Sequence, residues 1–356
     1  MAGRFGMALV QAFAALLAIL SLASASWAEE APSRVIAVGD LHGDHAAWKD
    51  IARAAGLMDA KGRWTGGDSV LVQMGDVTDR GPDSLKIIRS LQALEADAPK
   101  SGGRVVVLLG NHEAMNVIGD LRYVHPGEYA AFADRKSKRR RDLTWKANRE
   151  MIEAGYGALD PPIGPEEAKE RWFADTPLGK LEHRRAWSPG GELAQWAAGR
   201  PAVVQVGTTI FVHGGLSAER AVEPLDVLNA RFAAALAPGE EVDRSVLEDP
   251  LGPLWYRGNI TRAPEEVERP AIAEELAQVL TRYSASRLVV AHTPSLDGIL
   301  ADHGGRLLRV DTGIAAHYGG PATYLELIGE RAIAHQRAPD GTWTSRELPL
   351  TGEVTP

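Results

Sequence analysis

Aspartate, asparagine and histidine residues recur in this sequence immediately after short apolar runs. They occur in five segments, which are GDLHGD, GDVTDRG, GNHE, TTIFVHGG and RLVVAHT. The residues of these types in the five segments include Asp40, His42, Asp76, Asp79, Asn111, His112, His213 and His292. Carboxylate and amide oxygens and imidazole nitrogens suit divalent ions such as Mn, Fe and Zn. Because one ion would not use so many ligands, the pattern predicts two divalent ions about 3.5–4 Å apart, joined by a bridging carboxylate.

Composition restricts the chemistry further. The chain of 356 residues contains no cysteine, which excludes disulfides, thiolate ligands, iron–sulfur clusters and cysteine nucleophiles. Its formal net charge of −8 excludes a general electrostatic attraction to nucleic acid, so no nucleic-acid polymer is expected as a partner. With 45% hydrophobic and 24% charged residues, the chain is typical of a globular protein with one large or two modest domains.

The elements that must position these residues alternate along the first part of the chain. Apolar runs at VIAV, SVLVQM and RVVVLL are each followed by a segment of helical periodicity, which predicts a mostly parallel sheet covered by helices. Later apolar runs follow one another, so the C-terminal half should be richer in consecutive strands. Because the carboxyl ends of parallel strands meet at one edge of a sheet, we expect the five polar segments to converge there.

Residues 115–200 differ from both flanks. They contain the charged helical stretch RKSKRRRDLTWKANREMIEAG, followed by segments rich in proline and glycine. This pattern predicts an inserted helical cap between two parts of a catalytic core, at residues 29–114 and 201–356. The basic run RKSKRRR is interpreted as a solvated helix face, with an anion-guiding surface as the alternative.

The first 28 residues have the pattern of a secretory signal. Arg4 precedes the apolar run AFAALLAILSLASA, and Ser26 and Ala28 place small residues at both positions of a signal-peptidase site. We therefore expect cleavage after residue 28 and a periplasmic or secreted mature protein without a stable membrane anchor. An uncleaved membrane anchor is the alternative.

The order of these motifs resembles that of a known enzyme family. GDLHG, GDVTDRG, GNHE, HGG and a late histidine closely resemble the calcineurin-like metallophosphoesterases, and GDVTDRG with GNHE resembles their phosphoprotein phosphatase branch. Within that branch, GDVTDRG, GNHEAMNVIGDLRYV and PLWYRG most resemble the bacterial Shewanella-like and Rhizobiales-like phosphatases. The resemblance covers residues 35–125 densely and residues 201–315 in patches. It implies an α/β fold with a central β-sandwich flanked by helices.

The resemblance also implies a role for each residue. One metal ion would be bound by Asp40 and His42, and Asp76 would bridge to a second ion completed by Asn111, His213 and His292. A metal-bound hydroxide would attack phosphorus directly, while His112 acts as general acid and Asp79 orients it. Arg80 and Arg257, together with Asn111, would bind phosphate oxygens.

Several other polar residues are interpreted as structural. Asp44 is expected to cap a helix, and Glu113 to begin a helix or support the metal ligands. Asp311 ends a predicted strand on the same edge and is expected to pack around the metal site without binding an ion. His125, which sits with Tyr123 near the start of the cap, is an open candidate for the wall of the substrate pocket. The remaining histidines are expected at the surface or in the core: His45, His183, His303, His317 and His335.

These observations predict a two-metal phosphomonoesterase whose partner is a phosphorylated protein or peptide, with phosphate on serine, threonine or tyrosine. The alternative is an exported phosphatase of small phosphoesters or dinucleoside polyphosphates, because the metal core sets the reaction while loops and caps choose the substrate. A remote alternative is a non-catalytic binding module. Phosphate release from matched substrates distinguishes the three.

Overall fold

The computed structural model describes residues 32–239, 241–263 and 268–349. The predicted signal peptide at residues 1–28 lies outside the described residues. Among the described helices, none combines the length and the apolar character that a membrane span requires.

The first half of the fold alternates strands and helices as the sequence predicts. Three parallel strands are neighbours in the order in which they occur: β1 (Val35–Val38), β2 (Val70–Gln73) and β3 (Arg104–Val107). Each strand is followed by a helix: α1 (His45–Ala54), α2 (Ser84–Asp97) and α3 (Asn111–Ile118). Asp44 caps α1 as expected, because its Oδ1 accepts a hydrogen bond from the backbone N–H of Ala47 at 2.9 Å.

The second half contains the consecutive strands. Five of them form a second sheet in the order β4-β5-β6-β8-β7: β4 (Val203–Val206), β5 (Thr209–Val212), β6 (Arg287–Val290), β7 (Leu300–Asp302) and β8 (Leu307–Arg309). The last three join the first sheet in the order β11-β10-β9-β1-β2-β3: β9 (Thr323–Ile328), β10 (Arg331–Arg337) and β11 (Trp343–Glu347). The first sheet is therefore mixed and less parallel than expected, because short turns connect β9, β10 and β11 and such turns make neighbouring strands antiparallel.

The two sheets form a sandwich, as the alternation of side chains along the strands shows. Val35 and Ala37 of β1 belong to one buried apolar cluster with Phe211 of β5 and Val289 of β6. The intervening Ile36 packs in a second cluster that includes the helices. Because successive side chains of a strand point to opposite faces, one face of each sheet meets the other sheet and the opposite face meets helices. This arrangement confirms the predicted fold class.

Five helices lie within the predicted cap: α4 (Glu128–Phe132), α5 (Ser137–Gly157), α6 (Pro165–Asp175), α7 (Lys180–Trp187) and α8 (Glu192–Ala198). Trp145 of α5 packs against Trp172 and Phe173 of α6, with ring centroids 5.4 and 5.7 Å apart. Trp187 of α7 is fully buried in the same apolar cluster as Ile36. The later cap helices thus share the main core, while the boundaries at residues 115 and 200 stay a prediction.

Two more helices lie beside the second half of the chain, α9 (Leu225–Ala235) and α10 (Ile272–Arg282). Short 3-10 turns occur at Ala98–Ser101, Ser245–Leu247 and His303–Gly305. The polar segments singled out in the sequence lie in the loops after β1, β2 and β3 of the first sheet and after β5 and β6 of the second. Loops from both sheets therefore contribute to one candidate site.

Candidate active site

The predicted site residues converge on one small pocket of about 110 Å³. Its wall contains Asp40, His42, Asp76, Arg80, Asn111, His112, Arg257 and His292. The two other predicted residues lie directly behind this wall. Nε2 of His213 is 3.3 Å from Oδ2 of Asp76, and Oδ2 of Asp79 is 2.6 Å from Nδ1 of His112. The expectation that the polar strand ends meet is therefore confirmed.

The loops hold several of these residues in an unusual backbone conformation. Among the described residues, seven non-glycine residues have a positive φ, and five of these belong to the site: His42, Asp76, Asp79, Arg80 and His292. Side chains with a Cβ rarely adopt this region, so each such residue carries a conformational cost. The surrounding hydrogen bonds hold the strained loops in place; for example, the backbone oxygen of Asp76 accepts from the N–H groups of both Leu41 and His42.

Glu113 fixes two of the loops to each other. Its fully buried carboxylate accepts hydrogen bonds of 3.0–3.1 Å from the N–H groups of Asp76, Val77, Thr78 and Gly110. The expectation of a supporting role at the start of α3 is thus met by a specific set of contacts. Glycine is required at position 110, because a Cβ there would collide with the backbone nitrogen and Oδ1 of Asp76.

Asp76 belongs to two groups of side chains that could each hold an ion. Its carboxylate lies with His42 and His112 in one group and with His213 and His292 in the other, with all ligand atoms of a group within 4.8 Å of one another. Oδ2 of Asp76 is 3.8 Å from Nε2 of His42 and 3.3 Å from Nε2 of His213. Ligand atoms at metal bonds of about 2.0–2.2 Å have comparable separations. A carboxylate shared by two groups is the arrangement that a bridging ligand requires.

The hydrogen bonds of two histidines direct their lone pairs into the site. Nδ1 of His42 lies 2.9 Å from the backbone oxygen of Thr78, and Nδ1 of His213 lies 2.9 Å from that of Met74. A carbonyl oxygen only accepts, so Nδ1 carries the proton and Nε2 presents a lone pair in the neutral ring. Nε2 of His213 lies 2.9 Å from Oδ1 of Asn111 and 3.3 Å from Oδ2 of Asp76. Burial alone would lower the pKa of His213, but the Asp76 carboxylate raises it above its ordinary value, so a bound ion would take the place of the proton that Asp76 otherwise favours on Nε2.

Two buried polar atoms point to the same conclusion. Oδ1 of Asp40 and Nε2 of His292 are buried without a hydrogen-bond partner among the described residues. Leaving such atoms unpaired is costly unless an ion or another polar group meets them. Oδ2 of Asp40 is also 3.9 Å from Nε2 of His42. The residues present therefore fit a centre of divalent ions with oxygen and nitrogen ligands.

Burial and neighbouring charges determine the protonation of these candidate ligands. Burial lowers the pKa of His42 to about 4 and holds the pKa of His292 well below its usual range, so both rings are neutral and able to bind an ion. Burial opposes ionisation of Asp76, yet the adjacent His213 and His112 hold its pKa well below the usual range. Burial, reinforced by Asp311 and Asp76, raises the pKa of Asp40.

His112 is joined to Asp79 in a buried acid–base pair. Nδ1 of His112 lies 2.6 Å from Oδ2 of Asp79. Burial alone would lower the pKa of His112, but the Asp76 and Asp79 carboxylates raise it above its ordinary value. Asn116 was not anticipated from the sequence: its Nδ2 donates to Oδ1 of Asp79 at 2.9 Å and to the backbone oxygen of His112 at 3.0 Å. The sequence feature that could have identified Asn116 is its position four residues after His112, which places both side chains on the same face of α3.

The two arginines are held differently. The guanidinium of Arg80 lies 3.9 Å above the ring of Tyr123, and the backbone N–H of Arg80 donates to the backbone oxygen of Tyr123 at 2.9 Å. Arg257 is exposed, and its Nη1 donates at 2.9 Å to the backbone oxygen of His292 and to Oγ1 of Thr293. Both side chains line the pocket and present positive charge to it.

Comparison with known proteins gives the same picture. Residues 33–317 match the family model for calcineurin-like phosphoesterases. The chain belongs to this family. It is 33% identical to an uncharacterized protein of Schizosaccharomyces pombe, over 83% of this chain and 77% of that protein. It is 31% identical to Shewanella-like protein phosphatase 2 of Arabidopsis thaliana, over 80% of this chain and 72% of that protein.

A solved structure supports the fold of this phosphoesterase. The cold-active protein-tyrosine phosphatase of a psychrophilic Shewanella species superimposes with a TM-score of 0.62, covering 88% of this chain and 80% of that chain at 24% identity. The chain is thus a metallophosphoesterase related to the Shewanella-like protein phosphatases, as its motifs indicated.

Four further side chains line the pocket of this phosphoesterase: Tyr123, Trp255, Asp311 and Tyr318. Asp311 was expected close by. Tyr123, Trp255 and Tyr318 were not predicted to line the pocket, although Tyr123 lies two residues from the candidate His125 and Trp255 lies two residues before Arg257. His125 is not among the lining residues, and its Nδ1 accepts a hydrogen bond from the N–H of Gly127 at 3.0 Å.

Proposed function

We propose that this metallophosphoesterase removes phosphate from serine, threonine or tyrosine side chains of phosphoproteins, using two divalent ions. The observation that carries the proposal is the position of Asp76, whose carboxylate lies between His42 on one side and His213 and His292 on the other, with the His112–Asp79 pair and two arginines at the same pocket. This arrangement supplies binding, charge and a proton donor at a single pocket. The names of the Arabidopsis and Shewanella relatives, both protein phosphatases, support the choice of substrate.

Each side chain has a defined task in this proposal. Divalent ions, when bound, supply Lewis-acid charge that attracts a phosphate dianion and make water a stronger acid. Arg80 and Arg257 bind phosphate oxygens, since guanidinium groups offer paired donors at every working pH. A water oxygen forms the new bond to phosphorus, and Nε2 of His112 gives its proton to the leaving oxygen as the ester P–O bond breaks, so the products are inorganic phosphate and the free hydroxyl. Asp79 accepts from Nδ1 of His112 throughout and so keeps Nε2 directed at the pocket.

The size of the pocket favours a large substrate. Sites for small organic ligands typically enclose about 300–1,000 Å³, whereas this pocket encloses about 110 Å³. It therefore accommodates the phosphoryl end of a substrate, and the remainder lies against the surrounding surface. A phosphorylated side chain on a protein satisfies this condition, because the polypeptide around it can contact the surface outside the pocket.

The identity of the ions and the compartment belong to the same proposal. The nitrogen and oxygen donors suit Mn, Fe or Zn. We also propose that residues 1–28 direct export and are removed, which leaves the enzyme in the periplasm or outside the cell. Mass determination of the mature N-terminus tests this point, because an intact Met1 contradicts cleavage.

The decisive experiment compares substrates on metal-stripped protein with Mn, Fe or Zn restored. Matched phosphotyrosine, phosphoserine and phosphothreonine peptides are assayed beside diadenosine tetraphosphate and sugar phosphates. We expect kcat/KM for one class of phosphopeptide to exceed that for the small esters by about tenfold or more, or about 1.4 kcal/mol. Equal or faster turnover of the small esters would overturn the phosphoprotein assignment and favour a scavenging phosphatase.

A further inference from the structure

A second concave surface lies in the cap, apart from the active-site pocket. This groove encloses about 460 Å³ and is lined mainly by side chains of α5, α6 and α7. The residues used below are Leu121, Met151, Trp172, Lys180, Leu181 and Arg184. The proposed function assigns no task to this groove.

The groove is apolar and partly open to solvent. Met151 is 69% exposed, and the Trp172 side chain packs against Trp145 with ring centroids 5.4 Å apart. Of the eight large apolar side chains that are exposed among the described residues, four lie in the cap: Leu143, Met151, Leu159 and Leu178. Exposed apolar surface with a flexible methionine is typical of sites that bind varied apolar side chains.

The charged residues of the groove are both cations. Nζ of Lys180 donates to the backbone oxygen of Asp175 at 2.6 Å, and Nη1 of Arg184 donates to the backbone oxygen of Asn116 at 3.3 Å. Among the described residues that line the groove, none is a carboxylate. The groove thus combines an apolar floor with positive charge, which complements an apolar side chain within an acidic or phosphorylated peptide.

One short segment of chain contributes to both the groove and the active-site pocket. Leu121 lines the groove, and Tyr123 lines the active-site pocket and lies beneath the Arg80 guanidinium. Two residues of chain separate their Cα atoms by at most about 7 Å, and an extended peptide advances about 3.3–3.6 Å per residue. A peptide whose phosphate occupies the pocket therefore reaches the groove within about two to five residues.

We propose that this cap groove binds an apolar side chain of the phosphoprotein substrate, two to five residues from the phosphorylated residue. The inference rests on the proposed function in that the occupant is a phosphorylated polypeptide. It adds a specificity site: the pocket recognises phosphate, and the groove recognises the neighbouring sequence. Met151 and Leu181 contact the apolar side chain, and Lys180 and Arg184 face the acidic flank.

The test separates binding in the groove from turnover in the pocket. Peptides carry a non-hydrolysable phosphonate in place of the phosphate, on a background of alanine with one acidic residue. Leucine is placed in turn at each position from two to five residues on either side. We expect leucine at one of these positions to lower the Kd for the metal-loaded protein at least fivefold, as measured by fluorescence anisotropy.

Two matched variants locate the effect. Met151→Asp puts a charge into the groove and should abolish the preference for leucine, while the rate with para-nitrophenyl phosphate stays within about twofold of the unmodified protein because this small ester does not reach the groove. Leu143→Asp is the control, because Leu143 is also exposed on α5, at 54%, but does not line the groove. It should leave both the preference and the rate unchanged.

Each outcome bears on a different claim. Equal binding of all peptides, or the same loss in both variants, overturns the groove proposal even when phosphopeptides are hydrolysed. A leucine preference that only Met151→Asp removes supports it. If the preference is present but phosphopeptides are hydrolysed no faster than small esters, the groove binds peptides, but the phosphoprotein assignment fails and with it the role of the groove in choosing the substrate.

Discussion

The Nδ1 atom of His112 lies 2.6 Å from Oδ2 of Asp79 in a buried hydrogen bond, and the opposite ring nitrogen of His112 is 3.8 Å from Oδ2 of the shared carboxylate Asp76. The ring therefore stands between a proton-holding partner and the centre of the metal site. This position allows two roles for His112, either as proton donor or as metal ligand, and the two roles make different predictions.

Replacement of His112 distinguishes these roles. If His112 is the general acid, His112→Asn should lower kcat by about 10²–10⁴-fold and leave the bound metal unchanged. The loss should be greater for alkyl phosphates than for para-nitrophenyl phosphate, whose leaving group needs less protonation. Asp76→Asn should lose both activity and metal. Metal analysis beside kcat decides: loss of metal from His112→Asn would make His112 a ligand.

Asn116 is expected to act through Asp79. Asn116→Leu removes the Nδ2 donor and leaves Oδ1 of Asp79 without this hydrogen bond, which costs about 1–3 kcal/mol of stability for a buried acceptor. We expect kcat to fall about tenfold with little change in KM, because about 1.4 kcal/mol of orientation is lost in the transition state. The fall should again be larger for alkyl than for para-nitrophenyl phosphate. An equal fall for both esters would indicate a structural role only.

The residues of the site differ in how far the sequence could predict them. Asp40, Asp76 and Asn111 follow apolar runs, and the rule that parallel strands end at one edge brings such residues together. Asn116 and Glu113 were harder to interpret, because their roles depend on which loop lies opposite α3. Periodicity within one segment carries no information about that contact.

Contacts between distant parts of the chain explain the features that the sequence did not predict. Tyr318 reaches the pocket from the loop after β8, where Ala316 donates to Oδ2 of Asp44 at 3.2 Å. That contact joins residues 272 positions apart in the chain, which no local pattern reveals. The mixed first sheet has the same origin: the apolar pattern of β9 predicts a strand, but its pairing with β1 depends on the completed sandwich.

Glycine 110 offers a test of the close approach between two loops. Gly110→Ala should destabilise the protein strongly and reduce metal binding, because the added Cβ collides with Asp76 and the neighbouring carboxylate of Glu113 lies 2.7 Å away. Gly155→Ala in α5 is the matched control, since a Cβ there meets nothing within 4 Å. It should be neutral or stabilising by about 0.5–1 kcal/mol. Thermal unfolding of both variants checks the difference, and similar Tm values would contradict it.

Glu128 predicts a pH-dependent contribution to stability. Burial raises the pKa of this carboxyl, although the nearby His183 ring, 3.7 Å away, and a hydrogen bond from Oγ of Ser84 oppose the change. A carboxyl whose pKa is raised on folding favours stability while protonated, and this contribution is lost as pH rises from its unfolded pKa of about 4.3 through the raised value. Glutamine cannot ionise, so the Tm of Glu128→Gln relative to the unmodified protein should increase between about pH 4 and pH 8.

An exposed glutamate provides the control for this comparison. Glu170 lies at the surface of α6, so Glu170→Gln should show no comparable increase in relative Tm. Parallel curves for Glu128→Gln and the unmodified protein at all pH values would show that burial of Glu128 has no bearing on stability.

Removal of the metal ions should lower the stability of the folded protein, because carboxylates in the site then repel one another. Three carboxylates, those of Asp40, Asp76 and Asp311, line one buried pocket. An ion that binds only the folded state at 100 times its Kd stabilises that state by about 2.7 kcal/mol, so Mn should raise the Tm of chelator-treated protein. Protons compete for Asp40, whose pKa is raised by burial and by Asp311, so the same Mn concentration should raise Tm less as pH falls.

The response to Mn also tests whether the ions occupy the shared carboxylate. Asp76→Asn removes the charge common to both ligand groups and should abolish the rise in Tm. Leu143→Asp, on the exposed face of the cap, should respond like the unmodified protein. A rise that survives in Asp76→Asn would mean that Mn stabilises the fold from another position, because removal of the bridging charge weakens both proposed ion sites at once.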